Sequence, residues 1–511
     1  MYPIKDVRKL LEQTIVNFRE YVRKMMHYGE ALALMQWDLR TGAPKKGHAL
    51  RAESMGTISS KIFDMSTSPV MENFLAELSD ESVTNELDEV NRALVRVLKR
   101  EFGRSKKIPA DRFEAYVVLA SQAESVWADA KETSDFSTFE PYLEKIVAMK
   151  REFIDYWGYN ENKYDTLLDQ YEPTLTVRKV DQIFKDLRRE TVELVQAISE
   201  RGRQVDLKPF SRSFPIQKQR EFSTLLLNRI GYDFAAGRID ETVHPFQTTI
   251  NRYDARVTTH YYENDFLSAI FSTIHEGGHA LYEQGVSPRL IGTPLSGGTS
   301  MGIHESQSRF FENIIGRSIE FWEYNYPDLV KYFPDQLADV SLSDFYKAIN
   351  DVKPSLIRIE ADEVTYNLHI MIRYEIEKGL INNELQVSDL PGVWNEKMKD
   401  YLGVVPQDDA HGVLQDVHWS GGDFGYFPSY SLGNIYSAQF AHKMAEEIPS
   451  LKDHIRRGEL SVIKQWLNDK IHVYGGTLDP AEILKKVTGE EIDSKYLVSY
   501  FKEKYSALYQ L

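Results

Sequence analysis

Apolar side chains recur at intervals of three and four residues along most of this chain, and β-branched runs are few. That spacing gives each segment one apolar stripe, which is typical of amphipathic α-helices. The clearest examples are residues 7–37, 86–104, 112–133 and 177–204. Connections between helices are predicted where Gly, Pro, Ser and Asn cluster, near 157–164, 201–215, 285–302 and 403–433. The pattern predicts an all-α fold that is helical nearly throughout.

The arrangement of these segments predicts one unit rather than a string of modules. No motif recurs at the fixed period that marks solenoids and other repeat proteins. None of the predicted loops is long or low in complexity, so none resembles a flexible linker between domains. We therefore expect a single large helical domain with a cleft over residues 1–511.

Residues 243–262 interrupt the helical pattern. β-branched and aromatic side chains occupy alternate positions on both sides of the segment Arg252-Tyr253-Asp254, and these are Phe246, Thr248, Ile250, Val257, Thr259 and Tyr261. A period of two on either side of a turn predicts a β-hairpin.

A helix is predicted directly after the hairpin. Asn264-Asp265 can cap its N-terminus and Gly285 is placed to end it. Its apolar stripe consists of Leu267, Ile270, Ile274 and Leu281.

Composition and charge narrow the possible functions. Hydrophobic residues make up 42% of the 511 residues and charged residues 27%, as in globular rather than disordered proteins. A net charge of -16 disfavours binding to nucleic acids or anionic membranes. Because the chain contains no cysteine, any metal must be bound by histidines and carboxylates. Residues 1–17 are charged and no apolar run reaches 18 residues, so we expect a cytoplasmic protein without a signal peptide or membrane span.

The helix after the hairpin carries the motif H-E-x-x-H. His275 and His279 are four residues apart, so both imidazoles point to one face and can bind one zinc ion. Glu276 is turned away from that pair but can reach a water on the metal, where a general base is needed. Gly277 and Gly278 weaken a helix interior, which predicts a close approach of another segment to the backbone.

A catalytic zinc requires a third protein ligand and an open position. Tyr282 and Gly285 stand where the metzincin pattern requires Gly and His, so that pattern is excluded. The candidates are the carboxylates Glu283, Glu305 and Glu312. We prefer Glu305, which follows a Gly-rich loop whose bend can return it to the first helix. It stands at the start of an apolar stripe through Phe311, Ile315 and Ile319, and without the upstream motif a solvated carboxylate in a first helical turn would be the preferred interpretation.

Two arginines could bind a substrate carboxylate. Spacing alone favours simple ion pairs for both, Arg358 with Asp362 on a helix begun by Pro354, and Arg256 with Asp254. An exopeptidase acting at a peptide C-terminus, however, needs a fixed cation, and a bidentate arginine is suited to that role.

The segment 412–430 is rich in glycine, aromatic residues and hydrogen-bond donors. It includes His418 and Tyr430, either of which could donate to the oxyanion formed in amide hydrolysis. A turn in the core with satisfied aromatic side chains is the structural alternative, and periodicity does not decide between the two.

Six sequence blocks in order resemble the thermostable carboxypeptidase Taq family of metallocarboxypeptidases. They are His244-Pro245-Phe246, Asp254-x-Arg256-x-Thr258, the motif from His275 to His279, His304-Glu305-Ser306-Gln307, Ile357-Arg358-x-x-Ala361-Asp362, and Gly412-x-x-Gln415-Asp416-x-His418-Trp419. The resemblance implies that residues 1–511 form a metallocarboxypeptidase catalytic domain, mostly helical with a small sheet beside a deep cleft, similar to neurolysin and angiotensin-converting enzyme.

The same resemblance implies an activity and roles for particular residues. The activity is removal of single C-terminal amino acids from peptides, with broad side-chain tolerance and poor action at proline, by a homodimer with one zinc or cobalt ion per subunit. The implied metal ligands are His275, His279 and Glu305. The implied catalytic residues are Glu276 as acid and base, with Tyr430 and His418. The candidate substrate-binding residues are Arg256, Arg358, His244 and Gln415.

Two other functions are compatible with the motif. A zinc oligoendopeptidase of similar fold would cut within short peptides and accept C-terminally amidated ones. A non-catalytic peptide-binding protein would use its metal structurally, but such a site usually closes its fourth position with protein ligands and does not need Glu276. We expect the carboxypeptidase.

Overall fold

A computed structural model describes residues 4–201 and 205–511. The α-helices are α1 (Ile4–Thr41), α2 (His48–Ser66), α3 (Pro69–Leu78), α4 (Glu81–Thr84), α5 (Glu89–Lys107), α6 (Ala110–Thr133), α7 (Phe136–Trp157), α8 (Asp165–Tyr171), α9 (Val177–Arg201), α10 (Ile216–Ile230), α11 (Phe266–Gly285), α12 (Met301–Arg309), α13 (Ile319–Tyr332), α14 (Pro334–Leu337), α15 (Leu342–Ala348), α16 (Tyr366–Ile381), α17 (Leu390–Leu402), α18 (His418–Gly421), α19 (Pro428–Glu447), α20 (Leu451–Arg456), α21 (Ser461–Lys470), α22 (Pro480–Thr488) and α23 (Lys495–Tyr509). A π-helical segment covers Phe310–Ile315, and short 3₁₀ segments include Arg358–Glu360 and His472–Thr477.

The predicted mostly helical fold is confirmed. The four segments chosen for their periodicity form α1, α5, α6 and α9, with ends shifted by a few residues. Residues 202–204, the end of the last predicted segment, and residues 1–3 of the N-terminal segment lie outside the described residues. None of the helices that the structure describes is both long and apolar enough to cross a membrane.

A three-stranded sheet lies between α1 and α11. Its strands are β1 (Ile239–Glu241), β2 (Gln247–Asn251) and β3 (Asp254–Thr259), in the order β1-β3-β2. The predicted hairpin is confirmed as the antiparallel pair β2 and β3, in which Gln247 faces Val257. Strand β1 runs parallel to β3 and was not predicted, because three residues are too few to show a period of two.

Two clusters of buried apolar side chains form the core. One contains residues of α1, α3, α5, α10, α11 and α13, and the other contains residues of α7, α9, α16, α17 and α23. Helix α19 contributes to both, with Leu432 in the first cluster and Ile435 in the second. A cavity of about 1070 Å³ is lined by residues from both groups of helices.

Candidate metal centre and substrate cavity

Helix α11 is capped at its N-terminus by Asp265, whose side chain accepts a hydrogen bond from the backbone N–H of Ser268 at 3.2 Å. It ends at Gly285. Both ends agree with the prediction. The helix presents His275, Glu276 and His279 to the cavity.

Glycines allow the neighbouring helices to approach this site closely. A Cβ atom on Gly278 would lie 2.6 Å from the backbone oxygen of Gln307 in α12. A Cβ atom on Gly433 in α19 would lie 2.4 Å from Cγ of Glu305. Neither contact is sterically possible for a larger residue, so the glycines bring α12 against α11 and fix Glu305 between α11 and α19. The close approach predicted for Gly277 and Gly278 is therefore present.

His275, His279 and Glu305, which we call the metal triad, place their donor atoms within 4.8 Å of one another. Oε2 of Glu305 lies 3.6 Å from Nε2 of His275 and 3.4 Å from Nε2 of His279. Two imidazole nitrogens and one carboxylate oxygen at about these separations suit tetrahedral coordination at metal–donor distances near 2.0–2.2 Å. The residues therefore fit a divalent metal ion.

A second set of polar side chains orients the two imidazoles. Nδ1 of His275 lies 2.8 Å from Oε2 of Glu312. Nδ1 of His279 lies 2.6 Å from Nδ1 of His304, whose Nε2 lies 2.9 Å from Oε1 of Glu283. With both Nε2 atoms left free for a metal, the protons belong on the Nδ1 atoms of His275 and His279, so His304 accepts from His279 and donates to Glu283.

Glu283 and Glu312, weighed as possible third ligands, lie outside the metal triad and contact His304 and His275 instead. Glu283 also accepts the backbone N–H of Gly298 at 2.9 Å. Burial would raise the pKa of Glu283, but these hydrogen bonds and the nearby His304 keep it below its ordinary value.

The negative charge of the Glu305 carboxylate is balanced by an arginine. Nε of Arg309 donates to Oε1 of Glu305 at 2.7 Å and its Nη1 donates to Glu312 at 3.2 Å. Burial alone would raise the pKa of Glu305, yet Arg309 and the histidines hold it well below its usual range. Glu305 is therefore an anion whose Oε2 remains directed at the histidines.

Glu276 lies in a different electrostatic environment from Glu305. Its carboxyl lines the cavity, and no hydrogen-bond partner for it is found among the described residues. Burial raises its pKa to about 7, and the carboxylates of Glu305 and Glu312 add to that effect. A carboxyl with such a pKa can both take and return a proton near neutral pH.

The structure corrects the expected surroundings of Glu305. The residue lies in the second turn of α12, which begins at Met301, rather than in a first turn. The expected single stripe does not form one helix, because the chain winds into a π-helix at Phe310–Ile315 and a new helix begins at Ile319. Glu312 lies within the π-helical segment, in contact with His275.

Arg358 forms part of the cavity wall, but not as the sequence predicts. Pro354 lies in an extended segment, and Arg358 begins a short 3₁₀ turn. Its partner is not Asp362, which accepts backbone N–H groups in the turn before α16, but Asp416. The pairing with Asp416 brings Arg358 against the loop 412–417, so no helix passes through it.

Asp416 binds two arginines at once, and we call Arg358, Arg373 and Asp416 the cation wall. Oδ1 of Asp416 lies 2.6 Å from Nη2 of Arg358, and Oδ2 lies 2.6 Å from Arg373. Two guanidinium groups share one carboxylate, so the cation wall carries one excess positive charge. Arg358 lines the cavity, whereas Arg373 is completely buried behind it.

The other predicted substrate residues lie outside the cavity wall. Arg256 forms a bidentate pair with Asp254 at 2.7 Å for both bonds, the pairing that spacing favours. His244 is exposed on the segment before β2. Gln415 accepts from the backbone N–H of Arg358 at 3.0 Å, and its amide nitrogen donates to backbone carbonyls. Its amide supports the turn that carries the cation wall.

The aromatic segment places Tyr430 at the cavity and His418 behind it. Tyr430 lines the cavity together with Tyr426. The His418 ring stacks on Tyr426 at 5.6 Å, and its Nδ1 has no hydrogen-bond partner among the described residues. Burial lowers the pKa of His418 to about 4, so its ring is neutral near pH 7.

Sequence reasoning overlooked two side chains between the metal triad and the cation wall. Arg309, four residues after Glu305, was recognisable as the partner of a ligand carboxylate at helical spacing. Tyr366 accepts a hydrogen bond from Nη1 of Arg358 at 3.1 Å, and its ring lies 4.5 Å from Cζ of Arg309. No local pattern distinguishes Tyr366 from the other tyrosines of the chain.

Comparisons with known proteins agree with this geometry. Residues 17–505 match the model of the family described as carboxypeptidase Taq (M32) metallopeptidase. Carboxypeptidase 1 of Bacillus subtilis is 51% identical over 97% of this chain and 98% of its own length. Thermostable carboxypeptidase 1 of Thermus thermophilus is 40% identical over 98% of this chain and 99% of its own length. The crystal structure of an M32 carboxypeptidase from Deinococcus radiodurans matches 98% of this chain and 100% of its own with a TM-score of 0.94 at 34% identity.

Proposed function

The chain belongs to the carboxypeptidase Taq (M32) metallopeptidase family and is a metallocarboxypeptidase, and from that premise we propose a specific reaction. The protein removes single amino acids from the C-termini of peptides, with broad side-chain tolerance and poor action at proline. One observation carries the proposal: the metal triad and Arg358, the exposed arginine of the positively charged cation wall, line the same cavity.

We propose zinc as the metal, with cobalt as the alternative, bound by His275, His279 and Glu305. Two imidazoles and one carboxylate form a donor set that zinc peptidases use, and three protein ligands leave a position open. When bound, the metal supplies Lewis acidity to a water molecule and to the scissile carbonyl. Glu276 takes the proton of the attacking water and returns it to the leaving amine.

Arg358 is the proposed site for the terminal carboxylate of the substrate. Its positive charge is only partly compensated, since Asp416 is shared with Arg373. Arg256 is neutralised by its own bidentate partner and does not line the cavity, so we assign it the lesser role. His244 and Gln415 would act indirectly, by shaping the segments that border the site.

We propose Tyr430 as the donor to the developing oxyanion. Its hydroxyl-bearing ring lines the cavity, and its high pKa, raised by burial and by nearby tyrosines, keeps the donor proton in place. His418 supports this group by packing its ring against Phe427 at 4.6 Å and Tyr430 at 6.5 Å.

Several wider properties follow from family membership and are proposals of the same kind. We propose that residues 1–511 form a single catalytic domain, that each subunit binds one metal ion, and that the enzyme is a cytoplasmic homodimer. The likeness to neurolysin and angiotensin-converting enzyme remains a prediction.

Release of a free amino acid from an N-blocked dipeptide tests the proposed reaction. The zinc-loaded enzyme is assayed on the free acid and on its C-terminal amide, each with and without a chelator. Chelator-sensitive cleavage of the free acid alone is expected. Cleavage of both forms would indicate the oligoendopeptidase, and cleavage of neither would indicate a peptide-binding protein; no feature of the cavity favours either.

A further inference from the structure

Tyr366 lies between the metal triad and the cation wall. Its hydroxyl accepts a hydrogen bond from Nη1 of Arg358 at 3.1 Å. The face of its ring lies 4.5 Å from Cζ of Arg309, the arginine that holds Glu305 at 2.7 Å. Among the residues that the structure describes, Tyr366 alone is bonded or stacked to both arginines.

The surroundings of Tyr366 fix its position. It is the first residue of α16, and in the turn before this helix Asp362 accepts the backbone N–H groups of Val364 at 2.9 Å and Thr365 at 3.0 Å. Its side chain is 5% exposed, and its ring meets that of Tyr430 edge to face at 6.2 Å. A side chain held in this way can transmit the position of one arginine to the other.

The two contacts of Tyr366 do not neutralise the positive charges of Arg358 and Arg309, which can still bind carboxylates. A neutral phenol oxygen holds Nη1 of Arg358 without cancelling its positive charge, whereas a carboxylate there would remove the excess charge of the cation wall. A ring face opposite Arg309 attracts the cation but leaves its N–H groups free for Glu305 and Glu312.

We propose that Tyr366 is a positioning residue that sets the distance between Arg358 and Glu305. A peptide carboxylate bound at Arg358 would then place the last peptide bond, and no other, beside the metal triad. Tyr366 would therefore contribute to exopeptidase selectivity without contacting the reacting atoms. This inference rests on the proposed function, specifically on Arg358 as the carboxylate site.

Two substitutions separate the two contacts. Tyr366→Phe retains the ring against Arg309 and removes the acceptor from Arg358. We expect KM for an N-blocked dipeptide acid to rise about 10-fold, with kcat and the zinc dissociation constant changed less than about 2-fold. Tyr366→Leu also removes the ring, and we expect the zinc dissociation constant, measured by competition with a chelator, to rise about 10-fold as well.

A tyrosine on the same helix provides the matched control. Tyr374 is also buried, and its hydroxyl donates to Asp181 at 2.7 Å, but it does not line the cavity. Tyr374→Phe should leave KM for the free acid unchanged. If Tyr366→Phe behaves like Tyr374→Phe, the inference is wrong. A fall in kcat with an unchanged KM for the free acid would also contradict it, because it would indicate a general disturbance of the site.

Arg358→Gln, measured in the same assay, separates this inference from the proposed function. A raised KM in Arg358→Gln together with an unchanged KM in Tyr366→Phe overturns only the role of Tyr366. An unchanged KM in Arg358→Gln overturns the carboxylate site itself, and the inference with it. A raised KM in both variants, with unchanged zinc affinity in Tyr366→Phe, supports the inference.

Discussion

The metal triad and the cation wall, which reaches the cavity through Arg358, border the same cavity but are built differently. The triad and the side chains that orient it come from residues 275–312, on two neighbouring helices and the π-helical segment. The cation wall draws Arg358, Arg373 and Asp416 from three separate segments.

Their charges differ as well. Glu305 and Glu312 are balanced by Arg309 and Arg317, whereas the cation wall keeps one uncompensated cation. A balanced centre is suited to hold a metal and a general base, and an unbalanced cation is suited to hold an anionic ligand. This difference supports the proposed division of roles, with bond cleavage at the metal triad and selection of the peptide terminus at the cation wall.

The largest effect should come from Glu276→Gln, which removes the proton acceptor on the triad side. A positioned general base contributes about 10²–10⁴-fold, so we expect kcat to fall about 1000-fold while zinc content stays at the wild-type level. Steady-state kinetics and metal analysis on the same preparation measure both quantities. Near wild-type turnover in the zinc-loaded variant would remove Glu276 from the mechanism.

A smaller and more selective loss is expected from the cation wall. Arg358→Gln should raise KM for the free acid about 50-fold, because charge-assisted hydrogen bonds to the carboxylate are lost. Arg256→Gln is the matched control, and we expect a change below about 3-fold because its charge is already neutralised by Asp254. A larger effect for Arg256→Gln than for Arg358→Gln would move the carboxylate site to the sheet.

Substitutions behind the triad should weaken metal binding without changing selectivity. Glu312→Gln and Glu283→Gln remove the acceptors that orient His275 and His304, and each should raise the zinc dissociation constant about 10-fold. Glu377→Gln is a suitable control, since Glu377 is fully buried and accepts a hydrogen bond from Trp419 at 2.8 Å but does not line the cavity. Equal losses of zinc affinity in all three variants would mean that the two regions are not separate.

A separate effect, on stability rather than on activity, is expected from Glu172. Glu172 accepts the backbone N–H of Gly302 at 2.6 Å, near the start of α12, and burial raises its pKa to about 7. Because the folded state binds this proton more tightly, its stabilising effect is complete below pH 4.5 and is lost as pH rises through about 7.

This proton should change the free energy of unfolding by up to about 3 kcal/mol between those pH values. Glu172→Gln should therefore flatten the decline in denaturant midpoint over that range. The exposed substitution Glu132→Gln should not, and a matching slope in both variants would remove Glu172 as the source.

The difference between the metal triad and the cation wall also explains which parts of the site could be predicted from the sequence. Hydrophobic periodicity predicted the long helices, and the spacing of His275, Glu276 and His279 predicted one side of the cavity, because both patterns are local. Glu305 was placed correctly beside the histidines, although the π-helix at Phe310–Ile315 was not foreseen. A π-helix has no distinctive apolar period.

The cation wall could not be predicted from local sequence patterns. Arg358 has a carboxylate four residues later, so spacing favoured Asp362, but the chain instead brings it to Asp416. Tyr366 likewise lies between Arg358 and Arg309 only because of the way α16 packs in the folded protein. Contacts between residues so distant in the chain depend on tertiary packing, which periodicity does not report.

A structure of zinc-loaded Glu276→Gln with an N-blocked dipeptide would show both regions occupied at once. We expect zinc bound by His275, His279 and Glu305, and the dipeptide carboxylate bound by Arg358 beside Tyr366. A carboxylate bound at Arg256, or bound away from both arginines, would contradict this expectation.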